Sequence, residues 1–140
     1  MILLDTNVVS EVMRPQPDVN VLRWLGEQQP DQLYLTALTV AEIYRGLALL
    51  PNGRKRAKLE AAFQQFLTRG FQDRILSFTS KTSLIYAPVY CARVKAGLGI
   101  GELDLLIAAI AKEFKASLAT RNTTDFKACG IKLINPWEEN

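Results

Sequence analysis

The sequence predicts an α/β fold built on a short, mainly parallel sheet. Three observations carry that prediction: apolar runs of strand length recur along the chain, segments with helical spacing follow them, and turn residues fall between the two. Strands alternating with helices bury a parallel sheet under helical layers. Such sheets place ligands beyond the carboxyl ends of their strands, so the residues that follow each strand are the ones to inspect.

Residues 2–4 are an apolar run closed by Asp5 and read as a buried strand. Residues 6–13 form a first helix, stopped at Arg14-Pro15 because the residue before a proline is driven out of helical geometry. Residues 18–28 carry Val19, Val21, Leu22, Trp24 and Leu25, the spacing of an amphipathic helix. Leu33-Tyr34-Leu35 is a second strand. Val40, Ile43, Leu47 and Leu50 define a helix over 39–50, ended by Pro51-Asn52-Gly53. A longer helix over 54–68 gathers Leu59, Ala62, Phe63, Phe66 and Leu67 on one side. Residues 74–78 are a third strand, and 80–96 a helix in which Pro88 is the place where an irregularity is expected.

Gly97, Gly99 and Gly101 mark a flexible connection. The helix over 103–114 is almost wholly apolar until Lys112, so it belongs inside the domain. Residues 117–120 and 132–134 supply the last strands. No repeat, low-complexity segment or linker interrupts residues 1–140, which read as one domain. A chain of that length buries roughly two-thirds of its unfolded surface.

Composition excludes much chemistry. The chain has no histidine, which removes the usual serine and cysteine triads, histidine general bases and histidine-ligated zinc. Hydrolysis must then run on carboxylates, hydroxyls, lysine or a metal held by oxygen. Cys91 and Cys129 lack metal-binding spacing and read as free thiols. No apolar run approaches the ~20 residues of a bilayer span, and the N-terminus lacks a secretory signal. A cytoplasmic protein without a membrane role is expected. The net charge of +3 is mildly basic. Arg45, Arg54, Lys55, Arg56 and Lys58 crowd one stretch, with Arg69 and Arg74 following; they form either a solvated helical face or an electrostatic footprint for phosphates or an acidic partner.

The acids fall where the sheet rule points. Asp5 ends the first strand, Thr120-Arg121-Asn122 ends a later one, and Asp125 lies three residues beyond Asn122. Glu42 and Asp104 open helices, Asp104 beside Glu102. Each has a purely structural explanation. Thr39-Val40-Ala41-Glu42 matches a capping box, Asp104 and Glu102 suit the positive end of a helix dipole, and Asp125 suits a turn. Asp5 is the hardest to explain this way, because it breaks an apolar pattern without evident gain to the fold.

One functional reading covers them all. Carboxylates gathered from separate elements repel one another, so at least one has its pKa raised. A divalent cation reverses that penalty, and an oxygen-only set selects Mg²⁺, with Mn²⁺ able to substitute. Asp5 and Asp104 are the direct ligands in this reading. Glu42, Asn122 and Asp125 orient waters or hold a second ion about 3.5–4 Å away. The metal activates water for attack on a phosphodiester. Asn7 is expected to bond Asp5 or a helix end, and Thr6 to place a hydroxyl nearby.

The ordered set Leu3-Leu4-Asp5-Thr6-Asn7-Val8-Val9-Ser10-Glu11, Leu38-Thr39-Val40-Ala41-Glu42, Asp104-Leu105-Leu106-Ile107-Ala108-Ala109-Ile110-Ala111 and Ala119-Thr120-Arg121-Asn122-Thr123-Thr124-Asp125-Phe126, with Ile134-Asn135-Pro136-Trp137 at the end, resembles a PIN-domain nuclease. The nearest group is the VapC-type toxins of prokaryotic type II toxin–antitoxin modules, including the FitB-like branch. The resemblance spans essentially the whole chain. It implies a three-layer α/β/α sandwich and Mg²⁺-dependent endoribonuclease activity on an RNA substrate. It also implies a homodimer, which enters a higher hetero-oligomer with a DNA-binding antitoxin of the VapB or FitA kind whose C-terminal segment occupies the site. By position, Asp5, Glu42 and Asp104 match the family's three most regular acids. Asn122 stands where a fourth acid is usual, and Asp125 supplies that carboxylate from one turn away, which leaves one metal or two open. The alternative is a catalytically weak binding module that acts with the antitoxin in operator regulation.

Overall fold

Successive residues of a strand point to opposite faces of its sheet, and the first strand shows what this chain does with that rule. In β1 (Ile2–Leu4), Leu3 enters one apolar layer while Ile2 and Leu4 enter another. The computed structural model describes residues 1–99 and 101–138, and the elements follow in the alternating order expected. After β1 come α1 (Thr6–Val12), α2 (Val19–Glu27), β2 (Leu33–Thr36), α3 (Ala37–Ala48), α4 (Arg54–Gly70), β3 (Ile75–Leu76), α5 (Ser80–Lys95), α6 (Glu102–Glu113), β4 (Ser117–Ala119) and β5 (Leu133–Ile134). Short 3-10 turns occupy Pro30–Gln32 and Thr123–Phe126.

All strand pairings in the described sheet are parallel, in the order β3-β2-β1-β4-β5. One layer joins Leu3 and Leu118 to the buried face of α6 and to Val89 of α5. The other joins Leu4, Leu35 and Ala119 to α1, α2, α3 and α4 through Val8, Trp24, Ile43 and Phe63. Helices on both faces of a parallel sheet make the three-layer sandwich. The chain leaves β1 for β2 and β3 on one side and returns to β4 and β5 on the other. The strand order therefore reverses between β1 and β4, the place where such sheets open a crevice.

Local differences have local causes. α3 begins at Ala37, not 39, because Thr36 ends β2 and caps the helix itself. β3 keeps two residues of the five expected. α5 runs unbroken through Pro88, which lies on its exposed side, where water can serve the carbonyl that the proline leaves without a donor. Gly97 follows the helix at φ 70°, the left-handed position that ends many helices. Ile100 and residues 139–140 lie outside the described residues. Among the described residues no helix is long and apolar enough to cross a membrane.

The basic run divides. Arg56 pairs with Glu60 at 2.7 Å, and Arg74 donates to the carbonyls of Leu33 and Gly70. Arg54, Lys55 and Lys58 are exposed on α4, a solvated face.

Arg93 is the least expected element of the core. It is 2 % exposed, and its guanidinium donates to the carbonyls of Thr124, Lys127 and Gly99. It ties α5 to the connection before α6 and to the 3-10 turn after β4. Hydrogen bonds donated by a charged group contribute about 1.5–3 kcal/mol each. Arg93→Met is therefore expected to lower the unfolding free energy by about 3 kcal/mol or more, measured by urea denaturation. A loss below about 1 kcal/mol would show that the three carbonyls find other partners.

Candidate metal centre

In β1 and β4, Leu4 lies opposite Ala119, so the next residues, Asp5 and Thr120, leave the carboxyl edge of the sheet side by side. Asp5 is 4 % exposed. The Thr120 hydroxyl donates to its Oδ2 at 2.7 Å and the Asn7 amide to the same oxygen at 3.3 Å. The Thr6 backbone N–H donates to Oδ1 at 2.8 Å. Asp5 is also the N-cap of α1. That corrects the expectation that it gives nothing to the fold: the strand passes directly into a helix whose first amide needs an acceptor. Three donors use three of the roughly four acceptor positions of a carboxylate, and one is left.

Asn7 and Thr6 take the expected posts. Asn7 bonds the Thr120 hydroxyl as well as Asp5, and its own carbonyl accepts the Arg121 backbone N–H at 3.2 Å. The Thr6 hydroxyl donates to Glu42 Oε1 at 3.0 Å. Glu42 is not part of a capping box. Thr36 caps α3 by accepting the Thr39 N–H at 3.1 Å, so Glu42 sits a turn too far along to reach back. Its other neighbour is Arg45, 3.8 Å from Oε2. Asp104 lies in the first turn of α6. Glu102, beside it, accepts the Tyr86 hydroxyl at 2.9 Å and serves the contact with α5.

Asp5, Glu42, Asp104 and Asn122 line a single open cleft of about 550 Å³. Asp125 is exposed in its 3-10 turn and does not line it, although its charge acts on both Asp5 and Asp104. Burial pushes the Asp5 carboxyl above its ordinary value of 3.8, against the opposing pull of the Thr120 and Thr6 hydrogen bonds; the charges of Glu42 and Asp125 add to the rise. Asp104 is pushed up to about 6, first by burial and then by the charges of Asp5, Glu42 and Asp125. The mutual repulsion expected of gathered acids is present.

Among the described residues, no three carboxylates or thiols converge closely enough to ligate one ion directly. That donor set suits Mg²⁺, which binds through one or two carboxylates and keeps several waters. A cation demanding a full protein cage does not fit. Asp5 and Asp104 face this cleft together, and the charge of Asp5 is among the causes that raise Asp104.

Sequence reasoning did not single out Thr120 as the residue that fixes Asp5. The available signal was its position: like Asp5, it is a polar residue that closes an apolar strand. It also did not assign Glu11, Arg14, Arg121 or Trp137 to the cleft that they line.

The PIN domain family matches residues 2–131. The chain is 42% identical over 139 residues to the toxin FitB of Neisseria gonorrhoeae, covering 99% of this chain and 100% of FitB. It is 40% identical to the VapC ribonuclease Y4jK of Sinorhizobium fredii, with 99% of each chain covered. Among solved structures, a FitAB complex bound to an IR36 DNA fragment matches with a TM-score of 0.95 at 41% identity, covering 100% of this chain and 98% of the other.

Proposed function

The chain belongs to the PIN-domain family, and on that premise we propose that it is a Mg²⁺-dependent endoribonuclease, the cytoplasmic toxin of a type II toxin–antitoxin module. One observation carries the reading: Asp5 and Asp104, brought from opposite ends of the chain, share one cleft with Glu42, and the first two hold their protons more tightly than free aspartates. The relatives named toxin FitB and VapC ribonuclease support the same reading.

A bound Mg²⁺, or Mn²⁺ in its place, supplies an activated water and neutralises the charge that develops on the phosphodiester. The chain does the rest. Thr120, Asn7 and the Thr6 amide fix the Asp5 carboxylate in one rotamer, so that its remaining acceptor position is preorganised. Thr6 holds Glu42 by Oε1 and Arg45 stands 3.8 Å from Oε2, which fixes the carboxylate where it would orient water in the cleft. Asn122 adds a carbonyl without charge, and Asp125 adds charge from the edge of the cleft. The test is direct: the purified chain cleaves RNA with Mg²⁺ or Mn²⁺ and stops when EDTA is added. Undiminished cleavage in EDTA would defeat the proposal.

The partners follow from the surface. An apolar groove of about 410 Å³, with Met13, Ile43, Leu47 and Leu59 in its wall, shares Thr6, Ser10, Arg14 and Glu42 with the cleft. It suits the C-terminal segment of a DNA-binding antitoxin laid across the site, and the FitAB complex with DNA supports a partner of that kind.

The homodimer has a candidate face on α5. Leu84, Ala87, Cys91 and Val94 are exposed and recur at alternating three- and four-residue intervals, the spacing of an apolar helix seam. The opposite side of α5 holds Thr82, Val89 and Arg93 inside. Leu84→Glu with Val94→Glu is expected to convert a dimer to a monomer in size-exclusion chromatography with light scattering. A dimer that survives both charges would put the interface elsewhere.

A further inference from the structure

The cleft contains one carboxylate that the metal reading leaves idle. Glu11 is 5 % exposed, and its recorded partner is Arg14, whose Nη1 reaches both carboxylate oxygens at 3.2 and 3.1 Å. Burying a carboxylate is costly unless it is paired, and here the pairing group is itself 65 % exposed. The arrangement stabilises little by itself, since a long side chain is held in one pose at the surface. It does aim a guanidinium. Arg14 is anchored through a single nitrogen, so its Nε and Nη2 hydrogens have no partner among the described residues.

Asn7, Ser10, Glu11 and Arg14 follow one another at helical spacing along one side of α1 and its last turn, and all four line the cleft. The polar stripe therefore leads from Asp5 to the Arg14 guanidinium. A second guanidinium stands near the start of the stripe. Arg121, whose backbone N–H bonds Asn7, lies over the Trp137 ring at 5.2 Å and has no carboxylate partner among the described residues. Arginine on an aromatic face keeps its edge free for hydrogen bonding. Two oriented cations sit in a cleft whose other charges are acids, and the acids are the part that a divalent ion would neutralise.

We propose that Arg14 and Arg121 grip backbone phosphates of a single-stranded RNA laid along α1, with Glu11 and Trp137 as the positioning residues that aim them. This rests on the ribonuclease reading and adds the direction of the substrate strand. Phosphate contacts of this kind set register and affinity without reading sequence. Arginine suits the task because its planar fork matches two phosphate oxygens at once.

The experiment is binding of a fluorescent single-stranded 12-nucleotide RNA to the full chain in EDTA, followed by anisotropy across a salt series, with cleavage in Mg²⁺ measured in parallel. Arg14→Ala and Arg121→Ala are each expected to weaken binding by about tenfold. Each should also reduce the slope of log K against log salt by about 0.7. Lys81→Ala, on exposed α5 outside the cleft, changes neither. Arg14→Lys keeps a charge opposite Glu11 should the alanine variant fold poorly, and it is expected to retain the slope while losing affinity. Glu11→Gln removes a negative charge yet is expected to weaken binding, because Arg14 is released. Tighter binding in that variant overturns the positioning role of Glu11. Unchanged affinity and slope in both arginine variants overturn the proposal. Wild-type binding without cleavage in Mg²⁺ or Mn²⁺ overturns the nuclease reading instead, and the anisotropy still judges the grip.

Discussion

Asp5→Asn is expected to cut RNA cleavage in Mg²⁺ by about a thousandfold or more while leaving the fold intact. The substitution is nearly isosteric. An asparagine oxygen can still accept the Thr6 N–H and cap α1. Its amide meets the Thr120 hydroxyl, which already accepts from Asn7 and from the Asn122 N–H and gives up one of those bonds to accept the new one. What disappears is the charge. Metal-assisted stabilisation of a reacting phosphate is worth several kcal/mol, and each 1.36 kcal/mol is about tenfold in rate. The stability of the metal-free protein should rise, because Asp5 no longer repels Asp104, Glu42 and Asp125 and no longer carries a buried charge. Single-turnover cleavage and thermal melting measure the two effects. Activity within tenfold of the parent would remove Asp5 from the centre, and a lower melting temperature would mean that capping outweighs repulsion.

Magnesium is expected to stabilise the chain much more at pH 7.5 than at pH 5. Asp104 has a folded-state pKa of about 6, above its ordinary value of 3.8, and Asp5 is shifted in the same direction. A folded state that holds protons more tightly than the unfolded one loses stability as pH rises through the interval between the two values. For Asp104 the stabilising contribution is complete below 3.8 and gone above about 6. Without metal, then, the centre weakens the fold most near neutral pH. A cation needs those same groups ionised, so protons compete with it below about 6. At a concentration of a hundred times Kd, binding adds about 2.7 kcal/mol, on the order of 5–10 °C in melting temperature for a domain of this size. The increment should shrink steadily toward pH 5. An equal shift at both pH values would mean that Mg²⁺ binds away from Asp5 and Asp104.

These two results probe different levels of what the sequence discloses. Asp5 and Asp104 were legible because each interrupts a local pattern, a polar residue closing an apolar strand and an acid opening an apolar helix. Glu42 was singled out as a helix opener, but α3 begins earlier, at Ala37. The absence of histidine then narrowed the chemistry to oxygen ligands and a hard cation. Thr120 carries the same kind of signal as Asp5 but passes for an ordinary strand end. Its importance lies in a bond to a residue 115 positions away. Glu11 and Arg14 looked like the polar side of a helix followed by a stop, and nothing in their spacing says that the glutamate is buried.

The chain's own pattern determined that strands and helices alternate, about where they lie, and that any hydrolytic centre must use carboxylates, hydroxyls, lysine or a metal held by oxygen, because periodicity, turn chemistry and composition act over a few residues or over none. The tertiary structure alone decided which acids meet. Pairing β1 with β4 reverses the strand order beside Asp5, gives that carboxylate its threonine partner, buries it and raises its proton affinity, and leaves Asp125 at the rim. Charges and hydrogen bonds act through space, and distance along the chain does not encode distance across the sheet.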